Sequence, residues 1–503
     1  MTRPPLLKRR TVLRYLFLSG GAAAAPAWLS GCNNSSSGDP ATAPEPAPAP
    51  LREINLQPGP LSSIPDLGPA NADGVAIPNA EGFSVRAVAR TGTPPAIANN
   101  PLALYPWHTF PDGGATYARD NGGWIYASNS EFIPGGVGAL VFDPPPQEDP
   151  SAPAPIVDAY PILTGTIVNC AGGKTPWGTW LSCEEYDNTN LDTDPFPDLP
   201  FGPQDLPLDI VQAGRVHECN PYGSIIDAAV KPALGLFSHE AAVVDLPNRT
   251  VYLTEDTGDG RFYRFVCNED DVIDDGNGGE RLRMESGTLQ VLNIEGFEDD
   301  GYPEDVSELL TLRPVTWKDV LRPTEGQQGV RASMSNAPGT RFRGGEGMWF
   351  YELPEPLRMT PAGGSVPTQG IVFFSTKGDN RIWALDVENQ LIEVVFDNEQ
   401  IEPDFNDVDN VTVSPWGDLL VAEDGPLQRI MVVIPNQGAR VLIQTNHPGS
   451  EITGPAFSPD GSRLYFSSQR GPNIEGVSLP ENDEASGTGV TYELFIPPAF
   501  RGN

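Results

Sequence analysis

The 503-residue chain has no apolar run long enough to cross a membrane, and its most hydrophobic stretch is short and rich in Gly, Ala and Pro. Histidine is scarce. The four present, His108, His217, His239 and His447, do not keep the spacing of a zinc site. Basic residues number 31 against 67 acidic ones, a formal net charge of −36, which repels nucleic acid and favours divalent cations. The first 31 residues hold five basic and no acidic side chains, so the rest of the chain is more acidic still. Long amphipathic helical patterns are also scarce. Short runs of β-branched and aromatic residues between Gly, Pro, Asn and Asp recur instead, and they predict an all-β chain.

The address is written at the start. Arg9-Arg10-Thr11-Val12-Leu13-Arg14 fits a twin-arginine export signal, and Leu29-Ser30-Gly31-Cys32 fits a lipobox whose Cys32 is lipidated. Residues 1–32 are therefore read as a signal peptide and residues 33–65, rich in Ser, Ala and Pro, as a linker. Residues 66–503 contain no second linker, which predicts one large closed domain at the periplasmic or cell-surface side of a membrane. In that oxidising setting Cys170, Cys183, Cys219 and Cys267 are expected to form two disulfides, with three possible pairings, unless one cysteine is kept as a metal ligand.

A turn followed by an apolar strand ending in small polar or acidic residues appears six times, at 122–131, 176–185, 248–256, 369–380, 415–424 and 459–469. With flanking strands, each unit makes an antiparallel meander, so a six-bladed β-propeller is predicted. The wide gap before the fourth unit marks residues 267–340 as an insertion over one face, its Asp270-Asp271-Val272-Ile273-Asp274-Asp275 run being a solvated loop. Equivalent positions of successive blades face one axis. This brings together Glu131, Glu184, Glu185, Glu255, Asp256, Asp379, Glu423 and Asp424 from the second strands. Cys170, His239, Glu240, Glu346, Asp409 and Asn410 join them from the first strands. So many carboxylates at a narrow axis call for multivalent cations.

The segment from Asn169-Cys170-Ala171-Gly172-Gly173-Lys174 through Trp180-Leu181-Ser182-Cys183-Glu184-Glu185 resembles the signature of the PhoX-type bacterial alkaline phosphatases. Ser238-His239-Glu240-Ala241, Thr254-Glu255-Asp256, Gly345-Glu346-Gly347-Met348-Trp349, Asp379-Asn380-Arg381 and Asp409-Asn410-Val411 support it in family order. The resemblance implies a phosphomonoester hydrolase, exported by the twin-arginine machinery, with a cluster of ferric and calcium ions. It implies Cys170 as the thiolate ligand of iron, Glu185, Glu255 and Glu346 as ligating glutamates, and Asp379, Asp409, Asn410 and Glu423 as completing the cluster. One position departs from the family, which carries an arginine where this chain has Gly344. Arg343, Lys174 and Arg381 are the positive candidates for holding phosphate.

A calcium-dependent propeller lactonase and a non-catalytic metal-binding envelope propeller remain open beside the phosphatase, since propellers host many functions. A monomer acting on a small phosphomonoester, anchored by lipid and not binding nucleic acid, is the expectation. Cys32→Ala should release the protein from membranes or stop its maturation; membrane association unchanged in fractionated cells would remove the lipid anchor.

Overall fold

Turn residues punctuate apolar runs of four to eleven residues, and in the computed structural model these runs become antiparallel strands. Described are residues 56–98, 104–186, 213–320, 330, 339–398, 405, 407–435, 437–472 and 487–502. The twin-arginine segment, Cys32 and most of the linker lie outside them. Among the described residues, helical structure is confined to short segments such as the 3-10 turns Pro60–Ser63 and Val306–Leu309.

Four sheets stand as separate blades of a propeller-like ring. The first runs from Pro111–Ala118 outward through Trp124–Ser130, Gly135–Phe142 and Ile156–Thr166. The second begins at Gly173–Lys174 and continues through Trp180–Cys183. Two later sheets start at Val408–Val413 and Ile452–Phe457. The chain's early residues help complete both. Val75–Ala76 pairs with Gly438–Thr445, and Ser84–Arg90 pairs with Val490–Phe495. The second pairing joins the two ends of the domain in one sheet, which leaves less open edge.

Four separate blades is a correction to the six predicted. The remaining large sheet has nine strands, and both of its edge strands, His239–Asp245 and Gly345–Glu352, are inner strands. Arg313–Asp319 makes this fusion: it pairs with Gly287–Ile294 on one side and, through Arg313 and Pro314, with Ile392 and Leu391 on the other. Residues 267–340 are therefore more than an insertion over one face, because they supply two strands of this sheet. The acidic run is not wholly solvated either. Asp270 and Asp274 are exposed, but Asp271 is buried and accepts the N–H groups of Glu285 and Ser286 at 3.1 and 3.2 Å.

Inner strands contact their neighbours in a closed order, Pro111–Ala118, Gly173–Lys174, His239–Asp245, Gly345–Glu352, Val408–Val413, Ile452–Phe457 and back to the first. Large side chains such as Tyr252, Phe262, Phe374 and Trp383 pack between the two halves of the nine-stranded sheet. Cys170, Cys183, Cys219 and Cys267 are buried and free, which corrects the expectation of two disulfides.

Because Ser84–Arg90 completes the last sheet, a chain starting at residue 56 should melt cooperatively. One starting at residue 92 should lose that transition, and calorimetry showing equal melting of the two would refute the closing role.

Candidate metal centre

The acids reach the axis through a repeated irregularity. His239 pairs with Glu255 and Ala242 with Leu253, so Glu240 and Ala241 together face the single residue Thr254. The same slip sets Glu346 and Gly347 against Ser375, Asp409 and Asn410 against Ala422, and Asp112 and Gly113 against Asn129. A bulge of this kind bends the strand and re-aims a side chain. Here each of the four carries one carboxylate.

The bulges crowd the neighbouring inner strand, which explains their glycines. A Cβ on Gly113 would sit 2.3 Å from the Ala171 carbonyl oxygen, and one on Gly347 would sit 2.6 Å from Asn410 Cα. Polar residues opposite the bulges fasten one meander to the next. Thr254 donates to the Glu346 carbonyl at 2.7 Å, Ser375 donates to the Asp409 carbonyl, and Asn129 donates to the carbonyls of Cys170 and Ala171.

The result is a continuous series of donor atoms. Asp112, Glu131 and Cys170 form one group; Cys170, Glu185 and Glu240 a second; Glu240, Glu346 and Asp409 a third; Asp409, Asp424 and Glu451 a fourth. Within each group the donor atoms lie within 4.8 Å of one another, and Cys170, Glu240 and Asp409 are each shared by two groups. Cys170 Sγ lies 3.1 Å from Glu185 Oε2. Gln469 Nε2 donates to Asp112 at 3.0 Å and also to Glu131.

Burial first, and then repulsion from neighbouring acids, holds the carboxyls of Asp112, Glu240 and Glu346 well above their usual range. Burial likewise raises Glu451 and Asp409, and it pushes the Cys170 thiol up, with Glu185 and Glu240 adding to the effect. The acids outnumber the cations beside them, and multivalent cations fit what they offer. Asp112, Glu131, Cys170, Glu185 and Glu240 present a thiol among carboxylates. Glu346, Asp409, Asp424 and Glu451 present oxygens only. The first set suits a transition metal and the second a hard cation.

Of the ligands implied by the resemblance, Cys170, Glu185, Glu346 and Asp409 stand in this series, and Asn410 donates to Asp409 at 2.7 Å. Glu255, Asp379 and Glu423 are turned to other partners. Glu255 accepts from the Arg261 N–H and the Tyr263 hydroxyl, both at 2.9 Å. Asp379 accepts from Tyr302 at 2.7 Å, and Glu423 takes both arms of Arg429 at 2.7 Å. Their register explains this: Glu255 and Glu423 are paired with His239 and Val408, and Glu184 is bridged to Asn169. The next residue along points the opposite way, toward the axis. It is Glu185, Asp256 or Asp424. Glu131 follows Ser130 in the same manner.

Asp112 and Glu451 escaped the sequence reading, although each stands at or just before the start of an inner strand, as Glu240, Glu346 and Asp409 do. His239 packs on Phe237, with ring centroids 3.6 Å apart.

The three predicted phosphate-holding cations have other partners. Lys174 donates to the Thr116 carbonyl at 2.7 Å and lines an axial cavity of about 250 Å³ with Gly113, Met348 and Val411. Arg381 pairs with Asp397 at 2.9 Å and Asp379 at 3.3 Å. Arg343 stacks on Tyr302 and faces Glu304 at 3.9 Å. Two cations not singled out from sequence do reach the carboxylates. Arg470 pairs with Glu451 at 2.6 Å, and Lys377 with Asp409 at 2.8 Å.

Carboxyls whose folded pKa is raised bind protons more readily folded than unfolded, so they favour the fold at low pH and oppose it as pH rises. The metal-free protein should therefore lose melting temperature as pH climbs above about 4, the ordinary carboxylate range, and divalent cations should restore it. A metal-free melting curve flat from acid to alkaline pH would contradict this electrostatic account.

A family described as "Alkaline phosphatase PhoX" matches residues 154–392 and 382–471. A search of curated proteins finds no match. Among solved structures, Pseudomonas fluorescens PhoX in complex with vanadate, a transition state analogue, aligns with a TM-score of 0.60 at 17% identity, covering 89% of this chain and 100% of that one. A gluconolactonase from Xanthomonas campestris aligns with a TM-score of 0.41 at 10% identity, covering 86% of this chain and 98% of that one. The first likeness gives the propeller fold. With the family match extending over more than half of its residues, the chain belongs to the alkaline phosphatase PhoX family and is a phosphoric monoester hydrolase.

Proposed function

We propose that phosphate monoesters are hydrolysed at the axial series of carboxylates, loaded with iron at its thiol end and calcium at its oxygen-only end. The observation that carries this reading is the sharing of Cys170, Glu240 and Asp409 between successive donor groups, which suits a multinuclear centre better than isolated ions. When loaded, such a centre supplies Lewis-acid neutralisation of the phosphate oxygens. Cys170, Glu131 and Glu185 would hold the softer ion, and Glu451 with the second carboxylate oxygens of Glu346 and Asp424 the harder ones. Gln469 orients Asp112 and Glu131 by donating to both. We assign Arg470 to gripping phosphate oxygens, since its guanidinium already faces a carboxylate of the series, whereas Arg343 is held against Tyr302.

We also read the nine-stranded sheet as two blade-like halves joined by Arg313–Asp319, beside the four separate blades. Its two inner edge strands and the closed order of contacts support this. The basic start and lipobox support twin-arginine export, with metals loaded before export, and a monomeric enzyme anchored through Cys32 at the periplasmic or cell-surface side.

Elemental analysis and p-nitrophenyl phosphate turnover test the centre together. Cys170→Ser should lose iron and at least a hundredfold in turnover, while Cys183→Ser, whose thiol packs among Leu181, Val216 and Phe237, should keep both. Equal iron in wild type and Cys170→Ser would sink the thiolate assignment. Calcium-only protein that opens lactones and spares phosphomonoesters would favour the gluconolactonase-like alternative.

A further inference from the structure

We infer that the Lys377 ammonium is a resident cation of the axial series, occupying a place that a divalent ion would otherwise take. This rests on the metal-centre reading above and concerns its stoichiometry.

The position of Lys377 in the repeat is the first observation. Thr376 pairs with Gly345 as Glu255 pairs with His239 and Glu423 with Val408. Lys377 is thus the residue after the paired one, the position that supplies Glu131, Asp256 and Asp424 in other units. The repeat places a carboxylate here in four units and Gln469, after Ser468, in the last; in this unit it places a fixed positive charge.

The contacts are the second observation. Lys377 Nζ lies 2.8 Å from Asp409 Oδ2, 3.1 Å from Glu346 Oε1 and 3.2 Å from Asp424 Oδ2. Its ammonium donates a hydrogen bond to Asp424 Oδ2, while Glu346 Oε1, which has no hydrogen bond, is paired with it by charge alone. Asp409 belongs to both oxygen-only groups, so the lysine sits where those groups join. A calcium ion there would need the same oxygens at about 2.3–2.6 Å. The two cations exclude one another.

Covalently held charge cannot be chelated. Wild-type protein should therefore bind fewer divalent ions than the series has carboxylates to hold, and should stay folded after chelation. Lys377→Met and Lys377→Gln, purified with calcium present, should each bind one more divalent ion per chain than wild type by elemental analysis. After chelation both should melt lower than wild type, and added calcium should restore them. Lys377→Arg should keep the wild-type count. Equal metal counts in wild type and Lys377→Met, with equal melting of the chelated proteins, would overturn the inference. Wild type carrying no metal at all would overturn the metal-centre reading, and this inference with it.

Discussion

Mutual repulsion among buried carboxylates governs this molecule. Asp112, Glu240, Glu346, Asp409 and Glu451 are each almost wholly buried and face other acids across a few ångströms. In water such groups would separate, but here the ring of sheets holds them together. Whatever positive charge the axis acquires, from metal ions or from Lys377 and Arg470, offsets a cost that every inner strand shares. Closure of the ring by Ser84–Arg90 and the tying of neighbouring meanders by Thr254, Ser375 and Asn129 resist that repulsion.

The bulges connect this electrostatic load to chemistry. A regular strand would alternate its side chains between the two faces of its sheet and leave acids packed against the next blade. Two residues set against one turn the carboxylate to the axis and expose a carbonyl that the adjoining sheet can bind. The same local distortion thus positions the ligand and fastens the scaffold around it.

Lys377 gives the series a direction. Toward Cys170 the donors are a thiol and carboxylates, and toward Asp424 they are carboxylates compensated by an ammonium and a guanidinium. The series therefore carries fixed positive charge at one end, in a protein whose overall charge is −36.

The sequence by itself determined that the chain is β-rich, that a strand unit recurs, that acids end those strands, and that Cys170 lies in the segment where the family carries its signature. Those features depend on composition and on neighbours along the chain. Which of two adjacent acids faces the axis was not legible, because Glu184 and Glu185, or Glu423 and Asp424, differ only in pairing register, and a shift of one residue exchanges the faces. Asp112 and Glu451 were hidden for a related reason: a single acid near a strand start looks like a turn residue until a bulge aims it inward. The joining of two expected blades through Arg313–Asp319 depends on pairings between residues far apart in the chain, such as Arg313 with Ile392. Tertiary structure alone also decided the role of Lys377. A lysine after a strand is ordinarily a solvated charge, and only convergence of Glu346, Asp409 and Asp424 from three different strand ends makes it a cation of the site.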